Sequence, residues 1–212
     1  MIEEQNLTGS RLTTSSFEQN VPGFSVMFVL MSMLFGIAFG LRDERDWGTI
    51  MRLRVAPIGR VPLLGGKLLA RYAIGVGQML LLFAFGHFAF GISLGPSVFG
   101  FVTLACAVVF ALMGFSFLVA SFAKTREQII PLGLTVVMFV CAVGGCWWPR
   151  FMEPWWLQRI SYVTSTAWAM EGINDLILRN RTLGEVGFTV LVLVGYGTAC
   201  LGVGARLYPL NE

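Results

Sequence analysis

Five long apolar runs, separated by short polar or charged segments, dominate the pattern of the sequence. Each run has roughly the length of about 20 residues that an α-helix needs to cross the hydrocarbon core of a bilayer. Pro22 and Gly23 stand at the start of the first run and are interpreted as a helix-start signal. The pattern predicts membrane spans at residues 23–41, 72–90, 98–122, 129–147 and 186–205.

Polar turns mark the boundaries between these spans. One stretch without Asp, Glu, Lys or Arg is long enough for two spans, and Gly91–Ser97, which has the composition of a turn, divides it. Thr125 with Gln128 fits a capping box at the start of the fourth span. Thr182 with Glu185 fits a second one at the start of the fifth.

Composition indicates a membrane protein rather than a soluble domain. Of the 212 residues, 56% are hydrophobic and only 13% are charged, with a net charge of +3. Residues 1–22 are polar and lack the basic region and short apolar core of a cleaved signal peptide. The sequence contains no basic patch of the kind that binds nucleic acid. We therefore predict an all-α integral membrane protein whose transmembrane domain occupies residues 23–207.

Residues 42–71 form the densest cluster of charge in the sequence. Thr49 can cap a short helix here and Pro57 can end it, and the chain beyond is expected to be irregular to about Leu63. Side chains spaced by three and four positions would share one face of that helix: Trp47, Ile50, Met51 and Arg54. A solvated loop is the simpler interpretation, and a surface helix that docks a soluble partner is the alternative.

Lysine and arginine residues are unevenly distributed between the two sides of the predicted bundle. Ten lie on the side of residues 42–71 and five on the other. Because basic loops tend to stay in the cytoplasm, residues 42–71 and the tail at 208–212 are predicted to be cytoplasmic. Residues 1–22 are predicted to lie outside.

Residues 149–181 cannot form an ordinary loop, because this segment and the two residues before it hold five of the six tryptophans. Two short helices are predicted, one starting at Pro154 and the other following a break at Thr164–Thr166. Glu171 and Asp175 would share one face of the second helix. The pair could lie flat on the outer surface, or it could form a re-entrant hairpin that dips into the outer leaflet and closes a pathway.

Motifs for catalysis or cofactor binding are missing from the sequence. Gly65-Gly66-Lys67 lacks the spacing of a phosphate-binding loop, so ATP binding by that device is not expected. The four cysteines lack metal-ligand spacing and are interpreted as small buried residues. His87 is interpreted as a structural histidine, and no carboxylate within a span offers a proton or sodium relay. We expect no enzyme activity, cofactor or metal in this chain.

Three groups of residues, in the same order, resemble the membrane (permease) subunits of type 2 ABC exporters, the ABC-2 type transporter family. The first group begins the first span: Pro22, Gly23 and Phe24. The second lies in the charged segment and the following span: Glu44, Gly48, Thr49, Leu53, Pro57, Leu64, Gly66, Lys67 and Gln78. The third precedes the last span: Pro149, Pro154, Trp156, Leu157, Gln158, Ile160 and Ser161.

The resemblance implies two functional regions, one on the cytoplasmic side and one on the outer side. A cytoplasmic coupling helix would contact a separate ATPase through these residues: Glu44, Trp47, Gly48, Thr49, Arg52, Leu53, Pro57 and Lys67. An outer gate would include these: Pro149, Pro154, Trp155, Trp156 and Ile160. Two permease subunits, identical or different, would assemble in the cell membrane with two ATPase subunits that carry ATP and Mg.

The chain departs from the family pattern in two ways. The family usually has six spans, and the chain is expected to lack the first of them. Thr164–Thr166 stands where the family often has proline between the outer helices. Outward movement of a drug-like or lipid-like substrate is the favoured function. A non-transporting membrane scaffold or a permease remnant is the alternative, and a membrane-embedded enzyme lacks any polar cluster within the spans.

Overall fold

A computed structural model describes residues 16–46, 60–123, 125–148 and 152–207. These residues form seven helices and no strand, which confirms the predicted all-α fold. The helices are α1 (Ser16–Asp46), α2 (Arg60–Phe90), α3 (Val98–Ala120), α4 (Arg126–Val143), α5 (Trp155–Ser161), α6 (Ser165–Ile177) and α7 (Leu183–Leu207). Five of them, α1 to α4 and α7, are long and apolar enough to cross a membrane.

Helix α1 begins earlier than the sequence predicts. It starts at Ser16 and runs through Pro22, so Pro22 and Gly23 do not mark its start. Contacts with a distant turn stabilise these first residues: the Gln19 side-chain amide donates to the Gly145 carbonyl oxygen at 3.2 Å. Tertiary contact therefore outweighs the usual preference of proline for a helix terminus.

Helix α2 also begins earlier than expected. It starts at Arg60, so the chain is helical before Leu63 rather than irregular up to that point. Pro62 lies within its first turn, where a backbone N–H would have no helical partner in any case. Proline at this position therefore favours a helix start instead of delaying one.

The two predicted capping boxes have different outcomes. Thr125 is the N-cap of α4, but its side chain makes no cap hydrogen bond, because the Gln128 N–H donates to the Thr125 carbonyl oxygen instead. At the start of α7, the Thr182 N–H donates to the Glu185 carboxylate at 2.8 Å, and the Thr182 hydroxyl lies 3.1 Å from the same oxygen. The second box therefore forms on its glutamate side.

Helix α4 ends at Val143, before the predicted limit at residue 147. Gly145 adopts a positive φ of 73°, and the Cys146 N–H donates back to the Cys141 carbonyl oxygen at 3.0 Å. This is a Schellman ending with glycine in the left-handed position. The Gly144-Gly145 pair is the signal in the sequence that could have predicted this helix end.

Helix α3 lies at the centre of the bundle and packs against α1, α2, α6 and α7. Its closest partner is α7, where small residues let the two backbones approach. A Cβ added to Gly114 would lie 2.4 Å from the Gly197 carbonyl oxygen. Interfaces between membrane helices use small residues in this way, because close backbone packing drives their association.

Helix α6 packs across one end of the bundle. Its first residues contact the end of α4, and at its other end the Leu176 carbonyl oxygen lies 2.8 Å from a Cβ placed on Gly95, in the turn between α2 and α3. Apart from Trp168, Glu171 and Asn174, its side chains are buried. We call this the tryptophan-rich end; its tryptophans are Trp147, Trp148, Trp155, Trp156 and Trp168. The opposite end is called the basic end; its described cations are Arg42, Lys67, Arg71, Arg126 and Arg206.

Candidate functional site

The turn at Gly144–Trp148 joins α1, α4 and α6 at the tryptophan-rich end. Gly23 of α1 has no room for a side chain here, since a Cβ would lie 1.8 Å from the Cys146 carbonyl oxygen. The Trp147 indole N–H contacts the Met27 sulfur at 3.3 Å. The start of α1 is therefore held against the end of α4 by backbone packing and by side-chain hydrogen bonds.

The break at Thr164–Thr166 is built from hydroxyl hydrogen bonds. The Thr164 side chain caps α6 by accepting from the Ala167 N–H at 3.4 Å. The Thr166 hydroxyl donates to the Val140 carbonyl oxygen of α4 at 2.8 Å, and Thr166 is fully buried. Threonines here therefore begin a helix and also bond it to the neighbouring span.

The predicted gate residues are on and just before α5. Pro154 is the N-cap residue of this short helix, whereas Pro149 lies outside the described residues. Three apolar side chains point away from the bundle and are more than half exposed: Trp155, Trp156 and Ile160. The Arg159 guanidinium lies 5.6 Å from the centre of the Trp155 ring. An apolar surface with a cationic edge is typical of a helix at a membrane interface.

Asp175 of α6 forms an ion-pair network that the sequence did not predict. Its carboxylate is buried and contacts Arg179 and Arg181, the latter at 2.8 Å. Glu171, four residues before Asp175 in α6, accepts a hydrogen bond from the Tyr162 hydroxyl at 3.4 Å. The arginine four residues after Asp175 was the available signal, because that spacing places opposite charges together on a helix.

At the basic end, the start of α4 is fastened to the end of α1. Arg126 and the Asp43 carboxylate are 2.9 Å apart, a charge contact without hydrogen-bond geometry. The Arg126 guanidinium also lies 5.9 Å from the centre of the Phe39 ring. Halfway along, a Cβ on Gly133 would lie 2.6 Å from the Phe35 ring. Helices α1 and α4 thus contact each other from one end of the bundle to the other.

Most of the predicted coupling residues cannot be placed. The backbone of Glu44 belongs to the last turn of α1, but its side chain lies outside the described part of the chain. The same holds for the whole of each residue in this group: Trp47, Gly48, Thr49, Arg52, Leu53 and Pro57. Lys67 lies early in α2, where it lines a cavity between α1 and α2. The coupling assignment therefore stays a prediction.

The family of the chain follows from a match over nearly its whole length. Residues 2–206 match the model of the ABC-2 family transporter proteins. The chain belongs to the ABC-2 transporter family.

Curated relatives agree with this membership. The linearmycin resistance permease protein LnrN of Bacillus subtilis is 27% identical over 184 residues, covering 87% of this chain and 47% of that protein. The probable multidrug ABC transporter permease YbhR of Escherichia coli is 23% identical over 167 residues, covering 78% of this chain and 45% of that protein. The chain thus spans about half the length of the curated relatives that it matches. No solved structure matches it significantly.

The cysteines and His87 lie in surroundings that fit a structural role in this ABC-2 domain. Cys141 and Cys146 are buried, and all four cysteines are free thiols. The neighbouring Cys141 thiol and then burial raise the pKa of Cys146, which keeps it protonated and unreactive. His87 Nδ1 lies 2.7 Å from the Ile92 carbonyl oxygen, so the ring secures the end of α2. Within residues 16–46, 60–123, 125–148 and 152–207, no group of three acidic, cysteine or histidine residues could hold a metal.

Proposed function

We propose that the chain is the membrane permease subunit of an ATP-driven exporter. A separate ATPase subunit would bind ATP and Mg, and this chain would provide the path across the cell membrane. The match to the ABC-2 family over residues 2–206 carries this proposal. The five apolar helices of membrane-spanning length supply the architecture that such a path needs.

Helix α1 is the element that would transmit movement from the ATPase to the outer end. Residues 47–59 connect α1 directly to α2, so a force on that segment acts on both helices. Helix α1 has 31 residues and is about 46 Å long at 1.5 Å per residue. It contacts α4 at Asp43 and at Phe35, and the turn after α4 at Gly23. A tilt of α1 would therefore displace the turn that joins α4 to the outer helices.

The roles proposed for the coupling residues rest on their chemistry and, for Glu44, on the resemblance to ABC-2 permeases. Gly48 would allow a close backbone approach where the chain leaves the membrane, and Thr49 would cap a short helix that Pro57 would end. Glu44 would hold the segment through a cationic neighbour or a backbone N–H. Arg52 supplies a charged contact with the ATPase. We place this segment in the cytoplasm because basic residues concentrate at its end of the bundle.

The substrate path would follow the exposed apolar face of α1 and α4. Phe24 and Phe28 of α1 are partly exposed and one helical turn apart, as are Leu134 and Met138 of α4. A second permease subunit, identical or different, would face this surface and close the path. Two relatives are named as a linearmycin resistance permease and a probable multidrug permease. These names favour a hydrophobic or amphipathic substrate for this chain.

The outer gate would be the pair α5 and α6 with the turn before them. The buried α6 anchors the pair, and α5 presents Trp155, Trp156 and Ile160 to the outer leaflet. Aromatic side chains prefer this interfacial depth. We propose that α5 is re-entrant and moves with the end of α4 when α1 tilts.

Glycine replacements at the two ends test the coupling. An ATPase reading frame adjacent to this gene, which would itself favour the exporter, would supply the partner, co-expressed with the chain and purified through it. Gly48→Trp blocks the proposed close approach, and ATPase recovery or stimulated hydrolysis should fall at least about tenfold, which corresponds to ~1.4 kcal/mol. The double variant Glu44→Ala with Arg52→Glu should give a similar loss.

Gly184→Trp is the matched control, because Gly184 is exposed at the other end and a Cβ there meets nothing within 4 Å. It should leave ATPase recovery unchanged. An equal loss from Gly184→Trp and Gly48→Trp would show general misfolding. Full ATPase recovery and stimulation with Gly48→Trp and with the double variant would reject the coupling segment, and the scaffold alternative would then be favoured.

A further inference from the structure

A cavity of about 350 Å³ lies between α1 and α2 at the basic end. Its walls are mainly apolar, and its cations are Lys67 and Arg71, one helical turn apart on α2. Ile74, which also lines it, is 56% exposed, so the cavity opens onto the outer surface of the bundle. That surface faces lipid in a membrane-embedded chain. The volume falls within the range of small-ligand sites.

The guanidinium of Arg71 packs against α1 at Gly36 and lies near Gly40. A Cβ added to Gly36 would lie 2.5 Å from one of its terminal nitrogens and 2.8 Å from its central carbon. At Gly40 the nearest guanidinium atom would be 4.0 Å away, which is ordinary contact. Gly36 therefore provides the room that places the cation in the cavity, and Gly40 leaves space beside it.

Arg71 lies inside the candidate span Leu64–Phe90, and among the described residues its guanidinium has no carboxylate or hydrogen-bond acceptor as a partner. A cation in an apolar setting is costly unless an anion or hydrogen-bond acceptors compensate it. Arg71 is seven residues from the start of that span, so its long side chain can reach the headgroup region in the way that arginines of membrane helices do. An acceptor supplied from the lipid side would satisfy this requirement.

We propose that this cavity binds the phosphate headgroup of an anionic phospholipid. Arg71 forms a charge-assisted, bidentate hydrogen bond with the phosphate, and Lys67 adds a second positive charge. The apolar wall and the exposed side chains of α2, such as Leu69 and Ile74, contact the acyl chains. Basic pockets between membrane helices recognise lipid headgroups in this manner. Lys67 also belongs to the predicted coupling group, whereas Arg71, which carries the proposed lipid site, does not.

Lipid binding to the purified chain tests the proposal. Native mass spectrometry in detergent would compare phosphatidylglycerol with phosphatidylcholine of the same acyl chains. The chain should bind phosphatidylglycerol at least about tenfold more tightly, and Arg71→Gln should remove that preference by weakening phosphatidylglycerol binding more than phosphatidylcholine binding. Arg71→Lys should restore part of it. Arg206→Gln, which removes an exposed cation at the same end, should have no effect.

Two alanine variants test the geometry separately from the charge. Gly36→Ala should displace Arg71 and weaken phosphatidylglycerol binding, whereas Gly77→Ala, on α2 outside the cavity with nothing within 4 Å of an added Cβ, should leave it unchanged. A melting temperature close to that of the parent chain shows that each variant folds.

Three kinds of result would overturn the proposal. The first is a lipid preference that is missing or does not depend on Arg71. It would be seen as equal binding of the two lipids, or as an equal loss of phosphatidylglycerol binding in Arg71→Gln and Arg206→Gln. The second is displacement of the lipid by millimolar inorganic phosphate, which would indicate a site for a free anion. The third is disulfide crosslinking of two copies through Ile74→Cys, in a background without the native cysteines, because a second chain would then cover the cavity.

Discussion

The contact between Gly114 of α3 and Gly197 of α7 gives the sharpest prediction about the stability of the bundle. In Gly114→Ala the new methyl group would lie 2.4 Å from the Gly197 carbonyl oxygen and 2.9 Å from its Cα. Both are backbone atoms of a packed helix, so relief requires α3 and α7 to move apart. Overpacking of this kind costs about 1–3 kcal/mol.

Two further glycines separate this steric cost from the effect of alanine itself. Gly195, in the same helix as Gly197, has nothing within 4 Å of an added Cβ, so Gly195→Ala should be neutral or stabilise by up to about 1 kcal/mol. An alanine at Gly75 would place its Cβ 1.7 Å from the terminal methyl group of Met33 and 2.9 Å from Val109 Cγ1. Both obstacles are side-chain atoms and the nearer one ends a flexible side chain, so Gly75→Ala should cost less than Gly114→Ala despite the shorter distance.

Reversible unfolding in mixed micelles, titrated with a denaturing detergent, measures these free energies. We expect Gly114→Ala to be the least stable of the three and to differ from Gly195→Ala by about 1–4 kcal/mol. If Gly114→Ala unfolds at the same detergent fraction as Gly195→Ala, the two helices are not in backbone contact. If Gly75→Ala is the least stable variant, the distinction between backbone and side-chain obstacles is wrong.

Two other predictions concern the tryptophan-rich end. Thr166→Val removes the buried hydroxyl that donates to Val140, and the free energy of unfolding should fall by about 1 kcal/mol. Thr103→Val, which removes an exposed hydrogen bond at a partly buried position, should change it by less than half as much. Asp175→Asn removes the charge from a buried carboxylate whose two arginine partners are partly exposed, so thermal unfolding should show a loss of about 1–2 kcal/mol. The exposed Glu127→Gln serves as its control, and equal melting temperatures for the two variants would contradict a stabilising role for the network.

Apolar patterning predicted the five long helices because membrane spans must satisfy their own backbone hydrogen bonds, so length and composition are sufficient signals. The capping-box pattern also predicted the hydrogen bond from the Thr182 N–H to the Glu185 carboxylate, because the two residues are only three positions apart. These features depend on neighbours in sequence, and they can be read without knowledge of the fold.

Contacts between distant residues account for what the sequence missed. The start of α1 at Ser16 depends on Gln19 reaching Gly145, which is 126 positions away. The cavity around Arg71 exists because Gly36 of another helix lies opposite it. The pairing of Asp175 with Arg179 is an exception, because their spacing of four residues was a local signal that the sequence analysis did not use. The coupling segment stays a prediction because most of it lies outside the described residues.

The central claim, that an ATPase drives movement at the tryptophan-rich end, is tested most directly by one labelling measurement. Val163, next to α5, is 72% exposed, so Val163→Cys in a background without native cysteines gives a single accessible thiol. Membranes containing this chain and its ATPase are treated from outside with a membrane-impermeant maleimide, with ATP present or absent inside. We predict labelling from the outside at a rate that changes with ATP and stops changing in Gly48→Trp. A rate that is the same with and without ATP would contradict the account.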